Sequence, residues 1–289
     1  MEFEYRFCGN GVYITGYSEN EQICRVPENI DGKVVAGVDK FAFSEQRQLR
    51  EIFFPETIER IGAHAFYNCR MLKTIHMADG VTDIGDGAFK NCHEIAVFDI
   101  IRKRADSKCL KGILSEVNNE VEVTLRYGDG IAKLIFPYYL YNYEENTPAR
   151  IINQVTEGSG IRYRECITGT DVNYAEYDRI FEDAMHIDVL DASWHIACLR
   201  LKYPYKLADE AQRRYRKYLR DNGPALAMQM IEQEKYDSLK DFLSMKLLDN
   251  DDFGKCIDMA REKSRMEGLG ILLEYRKEEY GTRKKKFEF

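Results

Sequence analysis

The sequence predicts an α+β protein in which a short β-solenoid with an N-terminal hairpin cap is followed by a β-hairpin connector and an all-helical C-terminal module. Three observations predict this order: apolar residues that recur every 23 positions, alternating apolar residues around a glycine-rich turn, and helical spacing of apolar residues from Asp171 onward. The expected parts are residues 1–116, 117–170 and 171–289.

The 23-residue period holds in seven registers between Val35 and Ile100. A period of this length, with apolar residues spaced as Leu72, Ile75 and Met77, is typical of a leucine-rich solenoid in which each repeat contributes one strand and one return segment. The registers are Phe43, Phe66, Phe89; Ala42, Ala65, Ala88; Leu49, Leu72, Ile95; Ile52, Ile75, Phe98; Phe54, Met77, Ile100; Val35, Ile58, Val81; and Val38, Ile61, Ile84.

Two of the repeats carry a further motif. The motif is Ile61, Gly62, Ala65, Phe66, Cys69 in one repeat and Ile84, Gly85, Ala88, Phe89, Cys92 in the next. These residues resemble the leucine-rich repeats of the BspA type, and the resemblance covers about residues 20–101. It implies a fold and a tendency to bind other macromolecules, and it implies no reaction.

The ends of the solenoid have their own signals. Alternating apolar residues over 3–17, interrupted by Gly9-Asn10-Gly11, predict a hairpin that caps the first repeat. The first repeat is five residues longer than the period, and Asp31-Gly32 places the extra residues in a bulging loop. The period fails after Ile101, so we expect the solenoid to end there, with a short capping helix over about 106–115.

The connector begins with a second predicted hairpin, Val121–Tyr127 and Ile131–Tyr139, joined by Gly128-Asp129-Gly130. A tyrosine-rich stretch follows it. Thr147 before Pro148 then predicts the start of a helix, with the threonine as its cap.

The C-terminal module is predicted to be helical throughout. Apolar residues at Met230, Leu239 and Leu243 recur 30 positions later, which predicts two units of two short helices each. Over about residues 225–278 these units resemble ankyrin repeats, although the ankyrin turn motif is missing.

Composition limits the function classes. A formal charge of −7 and a pI near 5.5 argue against a surface built to hold nucleic acid, and no stretch is apolar for long enough to span a bilayer. The N-terminus lacks a secretory signal pattern, so we expect a cytoplasmic protein, or a surface or secreted one if a leader has been removed. The eight cysteines lack metal or redox spacing and are expected to be buried free thiols.

Alternation along the strands predicts two outward-facing ladders on the solenoid sheet. We expect them to bind a protein partner that the sequence does not identify; a solvated sheet face with one exposed aromatic is the alternative. The ladder residues are Glu51, Thr74, Val97 and Phe53, His76, Asp99.

A second candidate site belongs to a different functional class. The loop Gly158-Ser159-Gly160 with Arg150, Arg162 and Arg164 has the composition of a small-anion or nucleotide-like site, in an enzyme or a small-ligand receptor. Packing between domains is the alternative use of these residues. The loop lacks the lysine and hydroxyl of a P-loop.

Other features favour structural interpretations. Basic residues interleaved with tyrosines over 200–220 suggest RNA contact, but their helical spacing is typical of a solvated face. Cys69 and Cys92, with His93 adjacent, allow a metal site or a disulfide, although the repeat itself explains them. The run from Asp249 lacks the twelfth ligand of a calcium loop. Because the histidines accompany no catalytic motif, we expect no enzyme activity, cofactor or metal, and the oligomeric state stays open.

Overall fold

The computed structural model describes residues 3–104, 107–146, 151–168, 171–187, 190 and 192–281. The chain forms two compact units, Met1–Ala208 and Asp209–Phe289. The first unit therefore holds the repeats, the connector and the first two helices that follow Asp171, whereas the sequence predicts a boundary near residue 170. Each unit is described by itself below.

Two sheets form the solenoid of the first unit. The front sheet has the strand order β12-β11-β10-β8-β6-β3, and the rear sheet has the order β1-β2-β5-β7-β9, with β4 paired to β5. The strands are β1 (Phe3–Cys8), β2 (Gly11–Tyr17), β3 (Ile23–Arg25), β4 (Asn29–Ile30), β5 (Lys33–Val38), β6 (Glu51–Phe53), β7 (Arg60–Ile61), β8 (Thr74–Ala78), β9 (Asp83–Ile84), β10 (Val97–Ile101), β11 (Val121–Tyr127) and β12 (Gly130–Phe136), with helix α1 (Cys109–Glu116) between β10 and β11.

The core of the solenoid is made of columns of equivalent residues. Ile52, Ile75 and Phe98 lie side by side on parallel neighbouring strands and are fully buried, which confirms the predicted register. The rings of Phe43, Phe66 and Phe89 stack in the same way, with centroids 5.0 and 5.6 Å apart. A single coil could not bury these side chains; each coil supplies the apolar surface that its neighbour covers.

Glycine in the BspA-like motif is required by contact between coils. A Cβ on Gly62 would lie 2.5 Å from the backbone nitrogen of Lys40, and one on Gly85 would lie 2.3 Å from that of Ala63. Each glycine is thus pressed against the backbone of the preceding coil. Tight stacking explains why the motif places Gly62 and Gly85 one period apart.

The N-terminal end agrees with its predictions. Strands β1 and β2 pair antiparallel across Gly9-Asn10, and β2 continues the rear sheet by pairing with β5. The inserted residues of the first repeat form the small β4–β5 hairpin, whose turn residues Asp31 and Gly32 have positive φ angles. The insertion therefore leaves the coil geometry intact.

The prediction that the solenoid ends after Ile101 is wrong for the front sheet. Strand β11 pairs parallel to β10, with Phe98 opposite Val123, and β12 adds to it antiparallel. The offset between these strands is 25 residues because α1 replaces the usual return segment, so the 23-residue pattern does not find β11. The hairpin that the sequence assigns to a connector is the end of the sheet.

The helix predicted from Thr147 is also wrong. Residues 147–150 lie outside the described part of the chain, and Ile151–Glu157 form strand β14, which pairs with β13 (Leu140–Asn146). The sequence of β14 is rich in β-branched residues, and pairing outweighs the helix-start signal.

Two helices from the rest of the first unit cover the outer edge of β12. After α2 (Gly160–Glu165), β15 (Ile167–Thr168) and β16 (Asp171–Val172) come α3 (Tyr174–Ile187) and α4 (Ala192–Lys202), and α4 packs on β12. The hydroxyl of Tyr177 accepts a hydrogen bond from the amide of Ile135 at 3.0 Å and donates one to its carbonyl at 2.7 Å. These two hydrogen bonds pair the backbone amide and carbonyl of Ile135 at the edge of the sheet, where a further strand could otherwise add.

The second unit is helical, as predicted, and contains the 30-residue repeat. Its helices are α5 (Asp209–Asp221), α6 (Gly223–Glu232), α7 (Tyr236–Leu243), α8 (Asn250–Glu262) and α9 (Met266–Tyr280). The two hairpins share one turn geometry: Glu234 and Ser264 both have left-handed φ angles, 57° and 55°. The next amides, of Lys235 and Arg265, donate to the carbonyls of Met230 and Ala260 at 2.8 Å. The ankyrin resemblance stays a prediction.

Replacing Gly85 by alanine should lower the free energy of unfolding by about 1–3 kcal/mol, because the added methyl group must displace the backbone of the preceding coil. Chemical denaturation followed by circular dichroism measures this change. Gly128→Ala is the control, since a Cβ there meets open space, and it should stay within about 0.5 kcal/mol of wild type. Equal effects of the two substitutions would contradict the stacking argument.

Candidate functional site

The predicted ladders lie on the outer face of the front sheet, as expected from strand alternation. Phe53, His76 and Asp99 are partners in register on β6, β8 and β10, and Glu51, Thr74 and Val97 form the parallel row. All six are partly exposed, while the alternate residues between them are buried. We call this surface the front face.

A stack of planar groups crosses the front face. The guanidinium carbon of Arg25 lies 3.7 Å from the centroid of the Phe53 ring, and the Phe53 and His76 rings are parallel with centroids 4.1 Å apart. A cation over an aromatic face and two stacked rings each add modest stability. The three side chains come from three neighbouring strands and hold one another in place.

Polar contacts extend the stack toward the last strands. His76 Nε2 lies 2.8 Å from Glu51 Oε1, and His76 Nδ1 lies 3.6 Å from Asp99 Oδ2. Arg126 donates two hydrogen bonds to the Asp99 carboxylate, at 2.7 and 2.8 Å, and this partner raises the pKa of Arg126. The imidazole thus sits between two carboxylates, one of which is also held by an arginine.

A further pair lies beside this row, where Lys133 on β12 contacts Glu122 on β11 at 2.7 Å. Exposed ion pairs contribute little to stability on their own. The contacts of Glu51 and Asp99 with His76 connect the charged side chains to the aromatic pair. The front face therefore contains both charge signs, and because its side chains already have partners, less side-chain entropy is lost when it is covered.

Comparison with known proteins places the repeats in a family. Residues 33–116 match the family model described as "BspA type Leucine rich repeat region". This part of the chain is a BspA-type leucine-rich repeat region. The match covers less than a third of the 289 residues, so it describes the solenoid and leaves the helical unit unassigned.

Solved structures of bacterial leucine-rich repeat proteins are similar over part of the chain. A Treponema pallidum leucine-rich repeat protein is 23% identical, with 34% of this chain and 68% of that chain covered and a TM-score of 0.27. A Bacteroides capillosus protein is 17% identical over 37% and 86%, with a TM-score of 0.32. A Faecalibacterium prausnitzii cell surface protein is 19% identical over 44% and 41%, with a TM-score of 0.30. No curated protein matches the chain.

The motif cysteines of the BspA-type region are structural. The thiol of Cys69 donates to the carbonyl of Phe43 and that of Cys92 to the carbonyl of Phe66, both at 2.9 Å. All eight cysteines are free thiols, and only Cys8 is exposed. Burial raises the pKa of Cys109 to about 12, so its thiol stays protonated near neutral pH.

The Gly158 loop is built differently from the predicted anion site. Gly158 has a φ of 75°, and a Cβ on Gly160 would lie 2.0 Å from the carbonyl oxygen of Pro137. Ser159 is buried. The backbone amide of the next residue, Gly160, donates a hydrogen bond to the carbonyl of Tyr138 at 3.3 Å. The loop is therefore held against the segment that follows β12.

Arg164 is buried and binds backbone carbonyls. Nε donates to Leu114 O; Nη1 donates to Pro137 O and Gly160 O; and Nη2 donates to Val117 O and Asn119 O, with distances of 2.6 to 3.3 Å. All five N–H donors of the guanidinium are used. The carbonyls of Leu114 and Val117 lie at the C-terminal end of α1, where the helix dipole favours a cation. Burial lowers the pKa of Arg164 to about 10.

The other arginines of the predicted anion site do not converge on Arg164. Arg162 pairs with Asp183 at 2.8 Å, and its side chain is 43% exposed. Arg150 lies outside the described residues. A cavity of about 350 Å³ adjoins the site, with Tyr139, Ile161 and Arg164 among its lining residues, but the carbonyls already take the donors of Arg164.

Charged residues that the sequence patterns single out have structural partners. Arg200, part of the predicted basic run, is fully buried and makes a bidentate pair with Asp178 at 2.8 and 2.9 Å. Lys217 pairs with Asp221 on the same helix, as expected of a solvated face. Asp249 caps α8 by accepting from the amide of Asp252, which accounts for the acidic run there.

The sequence did not predict the contacts of Arg25 and Arg126 on the front face, or the contact between asparagines in the turns. Asn68 and Asn91 both have left-handed backbones, and Asn91 donates to Asn68 at 2.8 Å. The 23-residue spacing of the asparagines could have predicted their contact. Arg25 and Arg126 could not be found in this way, because their strands are offset by 28 and 25 residues from the neighbouring strands.

Within the described ranges, no group of three or more His, Cys, Asp or Glu side chains is placed to hold a metal ion. Among the helices of the same residues, none is long and apolar enough to cross a membrane.

A thiol reagent at pH 8 should modify one cysteine per native chain, because burial keeps the other seven away from solvent and raises the pKa of Cys109, Cys166 and Cys256 to about 12. Mass spectrometry of the labelled protein counts the sites. Cys8→Ser should abolish native labelling, and unfolding without reductant should expose all remaining thiols. Rapid modification of a second native cysteine would contradict this arrangement.

Arg164→Met should cost at least about 3 kcal/mol of unfolding free energy, because it removes five donors from buried carbonyls. Arg164→Lys should lie between methionine and wild type, since an ammonium offers three donors. Arg162→Met is the matched control and should cost less than about 1 kcal/mol, because its ion pair is exposed. Urea unfolding measures all three, and similar losses at both positions would rule out the special role of Arg164.

Proposed function

We propose that the protein is a non-enzymatic interaction module that binds a protein partner through the front face. Leucine-rich repeats generally serve as scaffolds for protein interaction, since stacked coils offer an extended surface. The observation that carries the proposal is the continuous row from Arg25 through Phe53, His76 and Asp99 to Arg126.

The chemistry of the front face suits protein recognition. An aromatic pair at its centre provides apolar contact area, and aromatic and arginine side chains dominate the binding energy of many interfaces. The surrounding carboxylates and bases, Glu51, Asp99 and Arg126, are already paired, so covering them leaves few unpaired charges. We expect a partner whose rim carries both charge signs around an apolar centre.

The contacts of the described residues lend no support to the alternative anion or nucleotide site. Arg164 has its donors on backbone carbonyls, and Arg162 pairs with Asp183. The histidines also have structural neighbours: His64 stacks on Phe41, and His195 contacts Glu120 at 3.0 Å. Absence of catalysis and a cytoplasmic location stay predictions.

The double substitution Phe53→Arg and His76→Glu should weaken partner capture at least about tenfold, because it removes the aromatic centre and adds charge to it. Capture from the native cell by the tagged full chain, quantified by mass spectrometry, identifies the partner, and titration of the purified partner gives the loss.

A matched control exists away from the front face. Phe41 and His64 form another stacked pair, with centroids 5.2 Å apart, on the turns between the sheets. Phe41→Arg with His64→Glu makes the same chemical changes and should leave capture unchanged. If the two double variants lose binding equally, or if the front-face variant keeps it, the front face is not the binding site.

A further inference from the structure

The second unit contains a surface that one helix hairpin presents and the next one covers. The α8–α9 hairpin packs on the α6–α7 hairpin, with α8 against α6 and α9 against α7. Gly268 makes the close approach: a Cβ there would lie 3.0 Å from Ile231 and 3.4 Å from Tyr236. The covered surface of the first hairpin consists of Ile231, Tyr236, Leu239 and Leu243.

The second hairpin repeats this surface 30 residues later, where the described part of the chain leaves it exposed. Leu243 is 3% exposed, whereas its equivalent Leu273 is 43% exposed. Met266, the equivalent of Tyr236, is 67% exposed, and Leu269, the equivalent of fully buried Leu239, is partly exposed. The terminal unit of a repeat array usually has a polar outer surface. Here three of the four equivalent residues are apolar and one is an arginine. We call these four residues the α9 face: Arg261, Met266, Leu269 and Leu273.

A charged residue at the rim repeats in the same way. Between the two hairpins, Lys263 pairs with Glu232, the last residue of α6. Thirty residues after Glu232 lies Glu262, the last residue of α8, which is exposed. The α9 face therefore has an acidic residue at the position where the covered surface uses one to hold its neighbour.

We propose that the α9 face docks an antiparallel helix hairpin of a partner protein, in the manner in which α8–α9 covers α6–α7. The partner hairpin places a small residue near Met266 and a basic residue toward Glu262. A second copy of this chain fits less well in the same arrangement. The positions on the first hairpin that correspond to Gly268 and Ile271 are the polar residues Ser238 and Asp241.

A tandem duplication of residues 244–273 in the full chain tests whether the α9 face can bind a helix hairpin. The duplication adds one hairpin after Leu273. If the face accepts such a hairpin, the thermal midpoint of the helical unit rises by at least about 4 °C. Leu273→Glu in the middle hairpin should remove most of this rise. Gly270→Glu adds the same charge at a position whose equivalent, Lys240, is exposed in the covered hairpin, and it should preserve the rise.

Charge complementarity is tested in the same duplicated chain. Glu262→Lys should reduce the rise because it faces the added copy of Lys263, and Lys263→Glu in that copy should restore it. Circular dichroism verifies that the added segment is helical. A helical but unstabilised duplication, or a rise that Leu273→Glu leaves intact, would overturn the proposal.

The identity of the occupant is tested with a photo-reactive amino acid at position 273 of the full chain in its native cell. The expected product is a cross-link to a helical hairpin of another protein, and Glu262→Lys should weaken it. Sedimentation of the purified chain addresses the competing occupant. A dimer that Leu273→Glu dissociates, together with cross-links only between copies of this chain, would show that a second copy covers the face and would refute a partner hairpin. These results are independent of the front face.

Discussion

Contact between successive coils is the constraint on which the BspA-type region depends. Each coil must offer its neighbour apolar side chains at fixed positions, and its backbone must approach closely enough for strands to pair. Gly62 and Gly85 meet the second requirement, and the Phe43, Phe66 and Phe89 column meets the first. Because both requirements recur at one spacing, a local change of length must leave the paired strands in register, as the insertion that forms β4 and its turn does.

The parts of the fold that obey this constraint could be predicted from the sequence. The inward columns, the outward ladders and the N-terminal cap follow from period and alternation alone. The continuation of the front sheet through β11 could not be found in this way, because a helix replaced the usual return segment and changed the spacing. Helix-start residues at Thr147 and Pro148 were misleading since strand pairing between β13 and β14 is a tertiary interaction.

Charged residues were the least predictable part of the candidate site. In the sequence, Arg164 and Arg200 cannot be told apart from exposed arginines. In the structure, Arg164 binds backbone carbonyls and Arg200 binds a buried carboxylate. Their roles depend on which distant residues surround them, and spacing along the chain contains no record of this. The ladder Phe53, His76 and Asp99 was predictable in position, but Arg25 and Arg126, which complete it, come from the irregular first and last coils.

The phenol of Tyr177 at the edge of β12 has a consequence for how this architecture can vary. A side chain of α3, which lies far along the chain, ends the sheet, and no interior coil takes part. Whole coils could therefore be gained or lost during evolution between an unchanged beginning and an unchanged stop. A chain with one coil more or one coil fewer would keep both ends, and only the width of its exposed sheet would change.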